Sequence, residues 1–335
     1  MKIINPKVEL VTSTGNILKD IEIAGRVSYK SEDKIKEGSE IDFVKRMVKS
    51  GHWATLEFGT IYLKIPVGEC SWVMSIITDI NRPESKGTRV IQKNGFYYVT
   101  TNFRVREQLW YESKGNKIAR KDVLKLGKYL VNPDPSVHKI RVNTHWITSV
   151  AVSNQALRSR VFSPMQESQR YCNYSKDKFG GEITYVIPYW ASKKIFESLQ
   201  DDKKTEILET IRKNQGIDPG TVMWNELVKI NDKCKKRNDI WNVIEQAYMA
   251  EIKSGMLPEE ARDILVKQTK TEFYLCGYLD DWFYVPSKKS PEKAGFFSLR
   301  TASSAQGDIR LLALDLKEQM EEEYAGPYFK YQTNK

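Results

Sequence analysis

The 335-residue chain contains no apolar run near the roughly 20 residues that a membrane-spanning helix needs. Its start, MKIINPKVELVTSTGN, lacks the apolar core and small-residue cleavage site of a secretory leader, so export is not expected. Cysteine is scarce: Cys70, Cys172, Cys234 and Cys276 are scattered, with no C-x-x-C pair. That argues against a thiol zinc site and against the disulfide framework of a small secreted domain, and reads as reduced thiols in a cytoplasmic protein. With only His52, His138 and His145, a His-rich metal site is not expected either. Three phosphate and nucleophile motifs are missing as well: G-x-G-x-x-G after a strand, G-x-x-x-x-G-K-[ST], and G-x-S-x-G. A nucleotide or flavin bound here has to be held without the familiar glycine loops.

What the chain does have is positive charge. Lys and Arg number 53 against 43 Asp and Glu, a formal +10. This favours anionic partners (nucleic acid, nucleotides, phosphorylated cofactors) without choosing among them. Hydrophobic residues at 40% and aromatics at 11% argue for a folded chain, and the length for one large domain or two.

The patterning is mixed. Strands are expected at Lys7–Thr12, Leu56–Val67, Phe96–Thr101, His138–Val152 and Ile183–Ile187, from alternation and β-branched content. Helices are expected at Ile41–Ser50, at Phe103–Trp110 after a Thr-Asn cap, and over most of Ala191–Met256 with a loop near Gly216–Gly220. A further helix start lies at Pro258, with Glu259 and Glu260 in its first turn. Ile309, Leu312, Leu316 and Met320 mark an amphipathic helix near the end of the chain. The fold class that follows is α+β, a mixed sheet with helices concentrated in the second half. The lysine-rich run Lys229–Arg237 reads as a solvated helix face, and Trp72 and Phe96-Tyr97-Tyr98 as aromatic core.

The most informative stretch is Asn154–Ser175, NQALRSRVFSPMQESQRYCNYS. It gathers Arg158, Arg160 and Arg170 with Ser159, Ser163, Ser168, Gln155, Gln166 and Gln169. Guanidinium groups stay charged and fork bidentately onto phosphate, while hydroxyls and amides suit base edges. These are the requirements of a nucleoside monophosphate.

Arg158-Ser159-Arg160, then Ser168 and Arg170-Tyr171, resembles the R-H-R-x7-S signature of the flavin-dependent thymidylate synthases (ThyX), with Ser159 at the signature histidine. Upstream, Gly51-His52-Trp53-Ala54-Thr55-Leu56-Glu57 is similar to the family's G-H-x-[ST]-x-x-E segment, with Ala54 where a hydroxyl residue is usual. Downstream, EEARDIL around Arg262, then TEFYLCGYLDDW and FFSLRTASSAQ around Arg300, follow in the family's order; Ser304 stands where the family often has histidine. The resemblance implies a single catalytic domain over residues 1–335, with insertions at about 68–134 and 190–256. It implies reductive methylation of dUMP to dTMP in a cytoplasmic homotetramer whose sites lie between subunits. FAD would carry hydride, NADPH would reduce it, and methylenetetrahydrofolate would supply the carbon. Ser168 and Arg300 would be catalytic. Gln155, Ser168, Gln169, Arg170, Arg262 and Arg300 would hold dUMP, and His52, Glu57, Arg158, Ser159, Arg160, Gln166 and Ser304 would line FAD. Nucleic acid and membrane are then not the expected partners. The serines at 159 and 304 leave two alternatives: a related enzyme making another C5-modified pyrimidine nucleotide, such as a hydroxymethylated one, or a non-catalytic nucleotide- or nucleic-acid-binding relative.

Overall fold

A computed structural model describes residues 1–283 and 295–324. Its centre is a four-stranded antiparallel sheet in the order β2-β6-β9-β7, with β2 at Lys7–Val11, β6 at Arg141–Ser149, β7 at Ser163–Gln166 and β9 at Lys270–Tyr278. Because side chains alternate across a strand, the register of β6 and β9 sorts residues onto two faces. Trp146, paired with Phe273, and Thr144, paired with Leu275, share one face. That face packs under the helix Gly307–Tyr324, whose Ile309, Leu312, Leu316 and Met320 are all buried in the same core. The opposite face carries Arg141 beside Tyr278, His145 beside Tyr274, and Glu272. It lies under Ala24 of the helix Ile17–Arg26 and Phe58, which pack on Cys276.

Residues 60–102 build a second sheet. β3 (Thr60–Pro66), β4 (Arg89–Lys93) and β5 (Phe96–Asn102) run in the order β3-β5-β4 and are antiparallel. Its own core includes Ile61, Leu63, Val73, Val99, Val105, Leu109 and Val123, with Trp72 and Tyr97 against it. The region 190–256 forms the helices Asp201–Lys213, Pro219–Ile230 and Asp232–Lys253. These pack beside the parallel pair β1 (Lys2–Ile4) and β8 (Thr184–Val186), where Tyr185 stacks on Trp241 with centroids 4.6 Å apart.

Most expected elements are present, two with changed boundaries, and several others were not expected, among them β4, β7, the central strand β9 and the helix Lys117–Lys125. The run Leu56–Val67 becomes a strand only at Thr60, because Trp53–Phe58 is a 3-10 turn. Leu56 and Phe58 are both fully buried but serve different clusters, which two residues on one face of a strand could not do. Strand β6 ends at Ser149, whose hydroxyl accepts from the Val152 amide and starts the helix Val150–Ala156 within the stretch expected to stay extended. The helix Ile17–Arg26 was not anticipated; Asn16 caps it by accepting from the amides of Leu18 and Lys19 at 3.0 and 3.2 Å. Among the described residues, no helix is long and apolar enough to cross a membrane, and no group of three His, Cys, Asp or Glu could hold a metal.

Candidate active site

The arginine-rich segment is a turn between the helix Val150–Ala156 and the edge strand β7. The Ser159 amide donates to Ala156 O at 3.2 Å and the Phe162 amide to Ser159 O at 3.3 Å. Phe162 anchors the turn: it is buried, 4.3 Å from the Trp282 ring, and it lies over Gly277 of β9. A Cβ at Gly277 would come within 2.2 Å of the Phe162 ring, so the close approach needs glycine there. With Phe162 inward, Arg158 and Arg160 are left exposed.

Three clusters of side chains meet around this turn. In the first, Arg300, at the end of the short helix Phe296–Arg300, donates from Nη2 to Gln155 O at 2.6 Å. The Gln155 side chain bonds to Gln306, and Arg158 lies near enough to act on Arg300 electrostatically. Burial first, and then the Arg158 charge, push the Arg300 guanidinium below its ordinary value. Its Nε is buried with no partner among the described residues, and neither arginine has a carboxylate partner there. Ser304 is exposed two residues before Gln306.

The second cluster follows β7. Ser168 donates its amide to Ser28 O at 3.0 Å, and its carbonyl receives the amides of Tyr171 and Cys172. Arg170 Nε reaches Glu259 at 3.0 Å, Arg262 lies three residues beyond Glu259, and Tyr171 leans on Tyr29 with centroids 5.0 Å apart. Gln169 meets the Tyr174 hydroxyl. Gln166 turns to the apolar face of the sheet, where its Nε2 donates to the hydroxyls of Ser153 and Thr271, each at 3.0 Å. In the third, Glu57 pairs with Arg104 and receives the Ser163 hydroxyl, and Arg160 lines the same cleft. His52 stands exposed just before that 3-10 turn.

Within one chain, then, Gln155, Arg158 and Arg300 form one group, Ser168 and Arg170 a second, and Glu57 with Arg160 a third, while Arg262 pairs with its neighbour Asp263 three residues beyond Glu259. No hydrogen bond or ion pair joins the first two groups among the described residues.

The sequence reading missed a buried ionic network beside Ser168. Lys270 Nζ reaches Glu167 at 2.9 Å and Glu272 at 2.5 Å; Lys30 also pairs with Glu272, and His145 Nε2 lies 3.6 Å from it. The Tyr174 hydroxyl donates to Glu167 at 3.1 Å. Burial opposes charge on Glu272, but His145, Lys270 and Lys30 outweigh it and hold the carboxyl far below its ordinary value. Lys30, Glu167, Tyr174 and Lys270 open onto a cavity of about 430 Å³. The alternation Lys270, Glu272, Tyr274 within a β-branched and aromatic run is the pattern that marks this polar face.

The four thiols are all buried. Burial, reinforced by Glu167, pushes Cys172 up to about 12, and burial pushes Cys70 and Cys234 to about 11. Such thiols are protonated and enclosed, the opposite of an activated nucleophile.

No curated protein matches the chain. Two solved structures of a UMP/dUMP methylase, PolB from Streptomyces cacaoi, show a distant likeness. The one bound with 5-Br dUMP aligns at 16% identity and a TM-score of 0.37, covering 97% of this chain and 92% of that one. The one bound with 5-Br UMP aligns at 12% identity and a TM-score of 0.36, covering 96% and 92%. The family described as Thymidylate synthase complementing protein, Thy1, matches residues 110–324. That span exceeds half of the 335 residues and takes in the arginine turn, Ser168, Arg262 and Arg300 together, so this chain belongs to the Thy1 family of flavin-dependent thymidylate synthases.

Proposed function

We propose that the protein converts dUMP to dTMP as a flavin-dependent thymidylate synthase. The observation that carries this reading is Arg300 beside Arg158: burial and then the Arg158 charge disfavour the charge on Arg300, its buried Nε is left without a partner, and neither arginine has a carboxylate partner among the described residues. A bound anionic nucleotide relieves that repulsion and takes the forked hydrogen bonds that arginine offers. The donor set fits an anionic nucleotide.

In this reading Ser168 and Gln169, with Arg170 and Arg262, hold dUMP beside Gln155 and Arg300. Arg170 would exchange Glu259 for the substrate, which costs little because an exposed ion pair is screened by solvent. Arg300 keeps positive charge beside the uracil carbonyls and stabilises the ring as electron density builds at C5. Ser168 is the second catalytic group of the proposal, fixing the base by its hydroxyl. His52, Glu57, Arg158, Ser159, Arg160, Gln166 and Ser304 are the proposed flavin contacts. When bound, FAD would carry reducing equivalents from NADPH while methylenetetrahydrofolate supplies the one-carbon unit. The family resemblance is the reason for proposing a homotetramer in which neighbouring subunits complete each site, and no hydrogen bond or ion pair joins the Arg300 and Arg170 groups within one chain among the described residues.

Two binding measurements test the reading. Protein mixed with FAD should retain a flavin absorbance band after desalting, and calorimetry should give saturable dUMP binding that Arg300→Gln weakens by about tenfold or more. A colourless protein that binds long DNA in a salt-sensitive way and shows no preference for dUMP would overturn it in favour of a nucleic-acid-binding relative.

A further inference from the structure

The cleft that holds Glu57 and Arg160 contains more positive charge than the family resemblance accounts for. About 310 Å³ in volume, it is lined by Lys86, Arg89, Arg104, Arg141 and Arg160, with Glu57 the one carboxylate among the described lining residues. Both Glu57 oxygens are engaged, one by Arg104 and the other by the Ser163 hydroxyl. Arg89 comes within 4.0 Å of Asp281, while Lys86 and Arg160 make no hydrogen bond or ion pair among the described residues.

Arg141 is the central observation. It is only 8% exposed; Nη1 donates to Glu57 O at 2.9 Å, but its Nε is buried with no partner among the described residues. Its guanidinium and that of Arg89 lie 5.6 and 4.6 Å from the Tyr278 ring. The Tyr278 hydroxyl is fixed in turn between Gly87 O at 3.1 Å and Thr100 O at 2.9 Å, which share its one proton. A single aromatic ring thus holds two cations in place and ties the second sheet to β9. A buried Nε–H without a partner costs free energy, and clustered like charges add to it, unless an anion occupies the cleft.

We propose that this cleft is a phosphoanion-binding site in which Arg89, Arg104, Arg141 and Arg160 hold a pyrophosphate-type group and Lys86 closes the rim. Arginine forks match phosphate oxygens bidentately, and several together select a multiply charged group over a lone carboxylate. Lys86, Arg89 and Arg104 lie outside residues 110–324, the span that the family model matches. It shares only Glu57 and Arg160 with the proposed flavin contacts and does not involve the proposed dUMP residues.

The test is calorimetric titration of inorganic pyrophosphate into the full chain at fixed ionic strength. Saturable binding is expected, falling by about tenfold or more in Arg89→Gln and in Arg104→Gln, and unchanged in Lys236→Gln, which lies outside the cleft. Arg141→Gln is compared only if its thermal unfolding matches the parent; the two half-exposed arginines keep the test decisive if it does not. Binding of dUMP should persist in Arg89→Gln and Arg104→Gln, which separates failure here from failure of the proposed reaction. Displacement of pyrophosphate by FAD assigns the group to a dinucleotide, and its persistence under excess FAD assigns it to a free phosphoanion; both require the site. Absence of saturable binding, or binding equally strong in both variants, overturns it.

Discussion

At the scale of single residues, the contrast between thiols and guanidiniums decides which chemistry is available. Cys172 directly follows Tyr171, yet it is fully buried, and burial together with Glu167 pushes it up to about 12. A route through a protein nucleophile at C6 of uracil therefore has no ready group here. Cys172→Ala should retain dUMP turnover within a few-fold of the parent; complete loss of turnover by a variant that still folds would contradict the reading. Arg170 is exposed and paired with Glu259, so Arg170→Ala should leave thermal stability nearly unchanged and weaken dUMP binding by about tenfold to a hundredfold, measured by calorimetry. Glu272 makes the opposite prediction. Its folded carboxyl is depressed below the ordinary value of 4.5 by His145, Lys270 and Lys30, after these overcome burial. Its stabilising contribution is complete above that ordinary value and is lost as pH falls below it toward the folded value. In denaturant titrations Glu272→Gln should be less stable than the parent at neutral pH, with the gap narrowing below about pH 4. A gap independent of pH would show that Glu272 acts by shape alone.

At the scale of elements, the arginine turn exists because Phe162 is pinned between Gly277 and Trp282. Gly277→Ala forces the ring to move and should destabilise the protein by roughly 1–3 kcal/mol, with flavin affinity falling as Arg158 and Arg160 lose their frame. Unchanged unfolding would mean the ring has room that the geometry does not give it. The same element shows what local sequence can and cannot disclose. The composition of Asn154–Ser175 announced the arginines, and the spacing of Ile309, Leu312, Leu316 and Met320 announced the buried helix, because both patterns are contiguous. The helix Val150–Ala156 was hidden by β-branched residues that a single serine cap overrides. The Glu272 network was hidden because His145, Lys30 and Glu167 reach Glu272 and Lys270 only through strand register and tertiary contact. No window of neighbouring residues contains that pairing.

At the scale of the molecule, the +10 balance takes on local meaning. Part of it is spread over helices, as in the Lys229–Arg237 run, where Arg237 lies over the rings of Trp190 and Trp241. Part is concentrated: the Arg158–Arg300 pair on one side of the arginine turn, and the five cations of the Glu57 cleft on the other. Both concentrations flank the central sheet, one along its apolar face and one at the Arg141–Tyr278 end of its polar face. The α+β class was legible from patterning, while the position of the second sheet against the central one was not, since it depends on Tyr278 bonding to backbone far away in sequence. The proposed homotetramer predicts a particle of four chains by light scattering. A monomer at assay concentration would leave the Arg300 and Arg170 groups unjoined.

The most direct measurement is turnover of dUMP by the purified chain with FAD, NADPH and methylenetetrahydrofolate, with the nucleotide product weighed by mass spectrometry. The account predicts the mass of dTMP, formed only when flavin is present. A hydroxymethylated product would move the serines at 159 and 304 from tolerated changes to determinants of outcome. Unaltered dUMP, from protein that binds both flavin and nucleotide, would contradict the proposed reaction.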